Sequence, residues 1–206
     1  MDYINTWKEV ILRPSEFYRS MPKTGGYADP IIFAAISFIL YGLLTVLLTA
    51  LLTSLFGSGM YTGGMYGGMY DGMYRGIYGG VREFGFLAIL MTVIITPIGG
   101  IISLFIEAAI LYIIYKVLGG KGSYEGTVRF ISYATAVLLL SWIPFLGWVF
   151  GIYGIYLYIL GGMNVHDVSM VKSTIAVLLP TFLAILLGII IAILAGSYIF
   201  SMIFPS

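Results

Sequence analysis

Hydrophobic positions along this chain follow two regimes. Between Tyr3 and Met21 apolar residues return at helical spacing among charges: Ile4, Trp7, Val10 and Ile11, then Phe17 and Met21 beyond Pro14. That period predicts short amphipathic helices, with Pro14 suited to the first turn of the second and the apolar faces laid on a membrane surface. From residue 31 the pattern changes to long uncharged runs. A helix rising ~1.5 Å per residue needs ~20 apolar residues to cross ~30 Å of hydrocarbon. Ile31–Phe56 meets that length, and so does 84–116, which is interrupted by Glu107 and by "TPIGG". Pro97, Gly99 and Gly100 predict a kink or break in that second helix. The uncharged stretch 130–165 is too long for one crossing, and Pro144 and Gly147 in "IPFLG" supply a turn. The expectation is an all-α, single-domain bundle over 1–206 with an amphipathic N-terminus at 1–28. Five membrane spans are expected at about 31–56, 84–116, 128–143, 146–162 and 172–200, with a Gly/Met/Tyr-rich outer loop at 57–83.

Composition agrees. Of 206 residues only 9% are charged, against about 25% in soluble domains, and the mean hydropathy is +1.03. Ten basic and nine acidic residues leave no field that would attract nucleic acid. The chain has no cysteine, which excludes disulfides and thiolate chemistry. The first 22 residues lack the basic and then apolar pattern of a signal peptide. With five spans, Lys8, Arg13, Arg19, Lys23, Lys116, Lys121, Arg129 and Lys172 fall on one side, and Arg75 and Arg82 on the other. The positive-inside rule then places the N-terminus in the cytosol, and the C-terminus and the Met/Tyr loop outside.

Four motifs carry a resemblance: "LGGKGSYEGTVRFISYATA" at 118–136, "W..VI..P..FY..M" from Trp7 to Met21, "IPFLGW" at 143–148 and "GGMNVHDVSMVKS" at 161–173. In order and spacing they resemble the Yip family, named for interaction with Ypt/Rab GTPases, in its prokaryotic-type branch. The resemblance covers nearly the whole chain except the Met/Tyr repeat. It implies a five-helix membrane domain with a cytosolic N-terminus. It also implies a membrane-organising or trafficking-like role, in a cell membrane if prokaryotic and an endomembrane if eukaryotic. Eukaryotic members usually carry a longer polar N-terminal region, so GTPase binding is not carried over.

Each candidate site has a structural reading beside its functional one. Gly119 and Gly120 suit a left-handed helix end, Ser123 an N-cap and Glu125 the first turn of the next helix. Lys121 and Arg129 would mark the headgroup level. The functional alternative is a cytosolic docking loop of Gly119, Gly120, Lys121, Gly122, Ser123, Tyr124, Glu125, Arg129 and Tyr133. "GGKGS" lacks the spacing of a phosphate-binding loop. Glu107 lies nine residues before Lys116, roughly 13 Å deep by helix rise. An acid at that depth usually faces the bundle interior, where Thr135 and Ser141 are the expected partners. Its readings are a neutral structural acid, a dimer contact or a transport site. His166 stands alone, a poor basis for a metal site, and Asp167 or Ser169 is expected to cap the last helix. No catalytic constellation appears, and no cofactor is implied.

In the repeat at 58–80, Met65, Met69 and Met73 and Tyr66, Tyr70, Tyr74 and Tyr78 recur every fourth residue in glycine. It reads as a tether or an interfacial helix, with copper binding by methionine the minor reading. The expected function is a non-enzymatic membrane scaffold or adaptor. Its expected partners are lipids, a cytosolic protein and copies of itself through Gly154, Gly161, Gly162 and Gly188. The alternative is a small transporter or channel using Glu107 and the broken second helix.

Overall fold

The computed structural model describes residues 2–56, 86–143 and 145–203. The repeat at 58–80 and Pro144 lie outside the described residues. In order the elements are α1 (Tyr3–Leu12), α2 (Pro14–Ser20), α3 (Ala28–Phe56), α4 (Phe86–Val117), α5 (Tyr124–Ala134), a 3₁₀ turn (Thr135–Val137), α6 (Leu138–Ser141), α7 (Leu146–His166) and α8 (Met170–Ile203). The described residues include no strand. Local chemistry sets several boundaries. The Asp2 carboxylate accepts the Asn5 N–H at 3.2 Å and caps α1. Pro14 opens α2, and Ser123 Oγ accepts the Gly126 N–H at 3.1 Å to cap α5.

Among the described residues four helices, not five, are long and apolar enough to cross a membrane: Ala28–Leu52, Thr92–Val117, Leu146–His166 and Met170–Leu194. The third expected span, 128–143, is instead the composite of α5, the 3₁₀ turn and α6. It carries Thr127, Arg129, Ser132 and Thr135, and every residue from Gly126 to Val137 is buried. The run packs antiparallel to α7 along most of that helix. Gly126 meets Val165, Phe130 meets Gly161, and Gly147 approaches the Ser141 carbonyl. Its polar residues belong to the bundle interior, which is why hydropathy alone misjudged its place. α7 opens after Phe145, which adopts a positive φ of 65°.

Of the kink or break expected at Pro97, the break does not occur: α4 runs as one helix through it. Gly100 serves close approach there and not a break, since a Cβ at this position would lie 2.7 Å from the Phe38 ring. The N-terminal helices pack much of their apolar side on the bundle. Val10 and Tyr18 are fully buried, and Trp7 Nε1 donates to the Ala136 carbonyl at 2.9 Å. Tyr153 Oη donates to the Ile11 carbonyl at 2.6 Å. Thus α1 and α2 cover the polar run and turn their charges, Lys8, Glu9, Arg13 and Glu16, outward. Burial of the Tyr18 phenol, with Tyr153 beside it, holds its pKa well above the ordinary range.

The small residues expected to join copies are mostly consumed inside one chain. Gly154, Gly161 and Gly162 are buried, the latter two beneath Phe130 and Tyr115. Gly188 stands in open space on α8, whose residues 181–194 are all exposed. We expect Gly162→Ala, whose new methyl would fall on the buried Tyr115 ring, to cost about 1–3 kcal/mol by overpacking. Gly188→Ala should stay within about 0.5 kcal/mol of the parent. Thermal unfolding of the two variants in one detergent checks the contrast.

Candidate functional site

The end of the bundle where α4 and α7 finish and α5 and α8 begin gathers most of the sequence-predicted residues. α4 closes with a paired-hydrogen-bond cap. The Gly119 N–H bonds to the Lys116 carbonyl at 3.1 Å, and the Gly120 N–H to the Tyr115 carbonyl at 2.7 Å. Gly119 has φ +85°, the left-handed geometry expected of this cap. The next residues are moulded on His166. The Lys121 N–H donates to the His166 carbonyl at 2.9 Å. A Cβ on Gly122 would sit 2.7 Å from His166 Nδ1. The glycines of "GGKGS" therefore admit an imidazole, not a phosphate.

His166 is fully buried. Its ring stacks on Tyr115 at 4.2 Å and 6°, and Nε2 shares a 2.8 Å hydrogen bond with Thr127 Oγ1. Nδ1 has no hydrogen-bond partner among the described residues. Tyr115 Oη is bonded to Ser173 Oγ at 2.8 Å, and Ser173 in turn donates to the Ile159 carbonyl at 2.7 Å. This chain of buried polar groups ties α4, α5, α7 and α8 together. Ser169 Oγ accepts the Lys172 N–H at 3.4 Å, the cap expected of it. Asp167 instead ends α7 with a left-handed φ of 53°.

The expected docking residues divide. Arg129 is 5% exposed and is not a surface cation. Its Nε donates to the Pro22 carbonyl at 2.7 Å and its Nη1 to the Gly26 carbonyl at 2.6 Å. Glu125 accepts the Gly26 N–H at 2.6 Å, so the two side chains clamp the connection between α2 and α3. Tyr124 Oη donates to the Phe105 carbonyl at 3.0 Å, and burial raises its pKa, with Tyr27 adding to the effect. Tyr133 is buried edge-on to Phe17. Lys121 stays exposed and pairs with Asp167 at 3.5 Å, an interaction worth little in water. Around it stand exposed Lys23, Lys116 and Lys172, and Lys172 Nζ caps the Leu118 carbonyl at 2.9 Å.

Glu107 lies elsewhere. It is an exposed residue of α4 whose Oε2 accepts from Tyr158 Oη of α7 at 3.0 Å. The expected partners are engaged with their own backbones, Thr135 Oγ1 with Ser132 and Ser141 Oγ with Val137. Sequence reasoning missed Tyr158, although it precedes His166 by eight residues much as Glu107 precedes Lys116 by nine. It also missed Tyr115, Thr127 and Ser173, which carry no motif of their own.

The family model described as Yip1 domain matches residues 8–203. The chain belongs to the Yip1-domain family. No curated protein and no solved structure matches it. For this Yip1-domain chain, two of the stretches that carried the resemblance, 118–136 and 161–173, meet at the basic end. Trp7, Val10, Tyr18 and Met21 form the inner face of α1 and α2, and the 118–136 stretch supplies the cap and the clamp.

Arg129→Lys keeps the charge but loses the fork that holds two carbonyls. We expect a loss of about 1.5–3 kcal/mol and faster proteolysis between Pro22 and Tyr27, read by thermal unfolding and by mapping the first cut.

Proposed function

We propose that this integral membrane protein is a non-enzymatic scaffold or adaptor whose basic end faces the cytosol and receives a soluble partner. One observation carries the reading. Lys23, Lys116, Lys121 and Lys172 reach the surface from four different chain segments, while the backbone beneath them is held by Arg129, Ser123 and His166. A cationic surface on a fixed backbone suits recognition, because little ordering entropy is lost on binding. The positive-inside rule supports a cytosolic placement of this end. α8 starts there and runs away from it, which supports a C-terminus on the opposite side.

The recruiting surface is then Lys121 and its neighbours, with Tyr124, Glu125 and Arg129 acting from beneath as positioning residues. The transport alternative drew on a broken second helix, and α4 is continuous. The test is photo-crosslinking in native membranes from a probe replacing Lys121, with a single Cys at the same position to report sidedness. A discrete adduct with a soluble protein, and Cys labelling from the cytosolic face alone, is the expected result. Adducts confined to lipid, or labelling from the other face, would contradict the proposal.

A further inference from the structure

We propose that α1 and α2 draw water and phospholipid headgroups down one flank of the bundle, to about mid-bilayer depth, while acyl chains cover the opposite flank up to the basic end. The inference rests on the membrane placement of the apolar helices and not on recruitment of a partner. Three contacts fix how far α1 lies from the basic end. Tyr3 Oη is 3.0 Å from Ser37 Oγ, nine residues past the start of α3 at Ala28. That start belongs to the basic end, since Glu125 of α5 holds the Gly26 N–H. Trp7 meets the carbonyl of Ala136, twelve residues past the start of α5 at Tyr124. The Ile11 carbonyl accepts from Tyr153, thirteen residues before the end of α7 at His166. At ~1.5 Å per residue these separations are roughly 13, 18 and 19 Å. Three different helices thus place α1 at a similar level.

The two flanks differ in chemistry at that level. α1 and α2 pack on α5, the 3₁₀ turn and α7, whereas α8 packs on α4 and α7. The outward face of α1 and α2 carries Lys8, Glu9, Arg13 and Glu16, and among its exposed residues only Ile4 and Leu12 are apolar. On the other flank Ile106, Ile110, Ile113 and Val117 of α4 and Val171 and Ile175 of α8 are exposed as far as the basic end. Glu107 is the one acid on that stretch of α4, and Tyr158 bonds it. This flank suits acyl chains over its whole length, with Lys116 and Lys172 reaching the headgroups. A hydrocarbon core of ~30 Å entered there would set the four charges of α1 and α2 near its centre. Charges at that depth are costly unless they face protein or water, and these face outward. Only Arg13 and Glu16 pair among them, at 4.0 Å with both side chains exposed. Lysine and arginine can snorkel toward headgroups, but Glu9 and Glu16 are too short to follow. The occupant of this flank is therefore polar. Water and zwitterionic headgroups, which carry both signs themselves, match a face that alternates both signs, and the leaflet beside it is thinned.

The chain has no native cysteine, so single thiols report water directly. The test uses the full chain in phosphatidylcholine vesicles, with a membrane-impermeant charged maleimide added on the side where Lys121→Cys reacts. Leu12 and Ile106 are both exposed, at 73% and 58%. Ile106 lies ten residues before Lys116, roughly 15 Å from the basic end, so the two positions compare flanks at similar depth. The thiolate is the reacting form and needs water. Leu12→Cys should therefore label at least about tenfold faster than Ile106→Cys. Spin labels placed together at Leu12→Cys and Lys121→Cys should give a single narrow distance, as a docked α1 requires. Slow labelling at both 12 and 106 would put lipid on the polar flank, and fast labelling at both would lift this whole end of the bundle into water. Either result overturns the proposal. Fast labelling at 12 with a broad distance distribution would show α1 free of the bundle, and would overturn it as well.

Discussion

The constraint on which this structure depends is that a polar run, α5 from Gly126 and the 3₁₀ turn after it, lies inside an apolar bundle. Thr127, Arg129, Ser132 and Thr135 are all buried, and a buried polar group without a partner costs about 1–3 kcal/mol. Each therefore dictates a neighbour. Thr127 requires His166, and His166 in turn requires glycine at 122. Among the described residues no carboxylate is bonded to Arg129, and it draws in the carbonyls of Pro22 and Gly26. Ser132 and Thr135 bond back to their own helix. The carbonyl of Ala136, where the helix tightens into a 3₁₀ turn, is met by Trp7. The N-terminal helices are therefore structural members of the bundle, with their charged face outward.

The same constraint explains what could be read from the sequence and what could not. The long apolar helices were legible because hydropathy and length are local properties. α5 was not. Its residues look like an ordinary polar segment or a weak span until the elements around it are known. The amphipathic period of Trp7, Val10, Phe17 and Met21 was read correctly as helix, but a period cannot say whether its apolar side meets lipid or protein. The caps at Gly119, Ser123 and Ser169 were legible because capping chemistry lies within a few residues. Arg129 was misjudged as a surface cation because its partners lie more than a hundred residues earlier in the chain.

Function follows the division of labour at the basic end. Buried residues hold the backbone, and exposed lysines from several junctions share one surface. The residues that make the Yip1-domain motifs legible mostly serve the first task, so family membership speaks to architecture. The proposed recruitment of a partner draws on the exposed lysines. Glu107 and the exposed isoleucines of α4 belong to a separate face, away from the basic end.

The central claim is that α1 and α2 pack their apolar side on the polar run. The most direct measurement is intrachain photo-crosslinking in bilayers from a benzophenone side chain replacing Trp7. The account predicts adducts within 130–140, around the carbonyl that Trp7 contacts. Adducts with lipid alone would contradict it and return the N-terminal helices to the headgroup region.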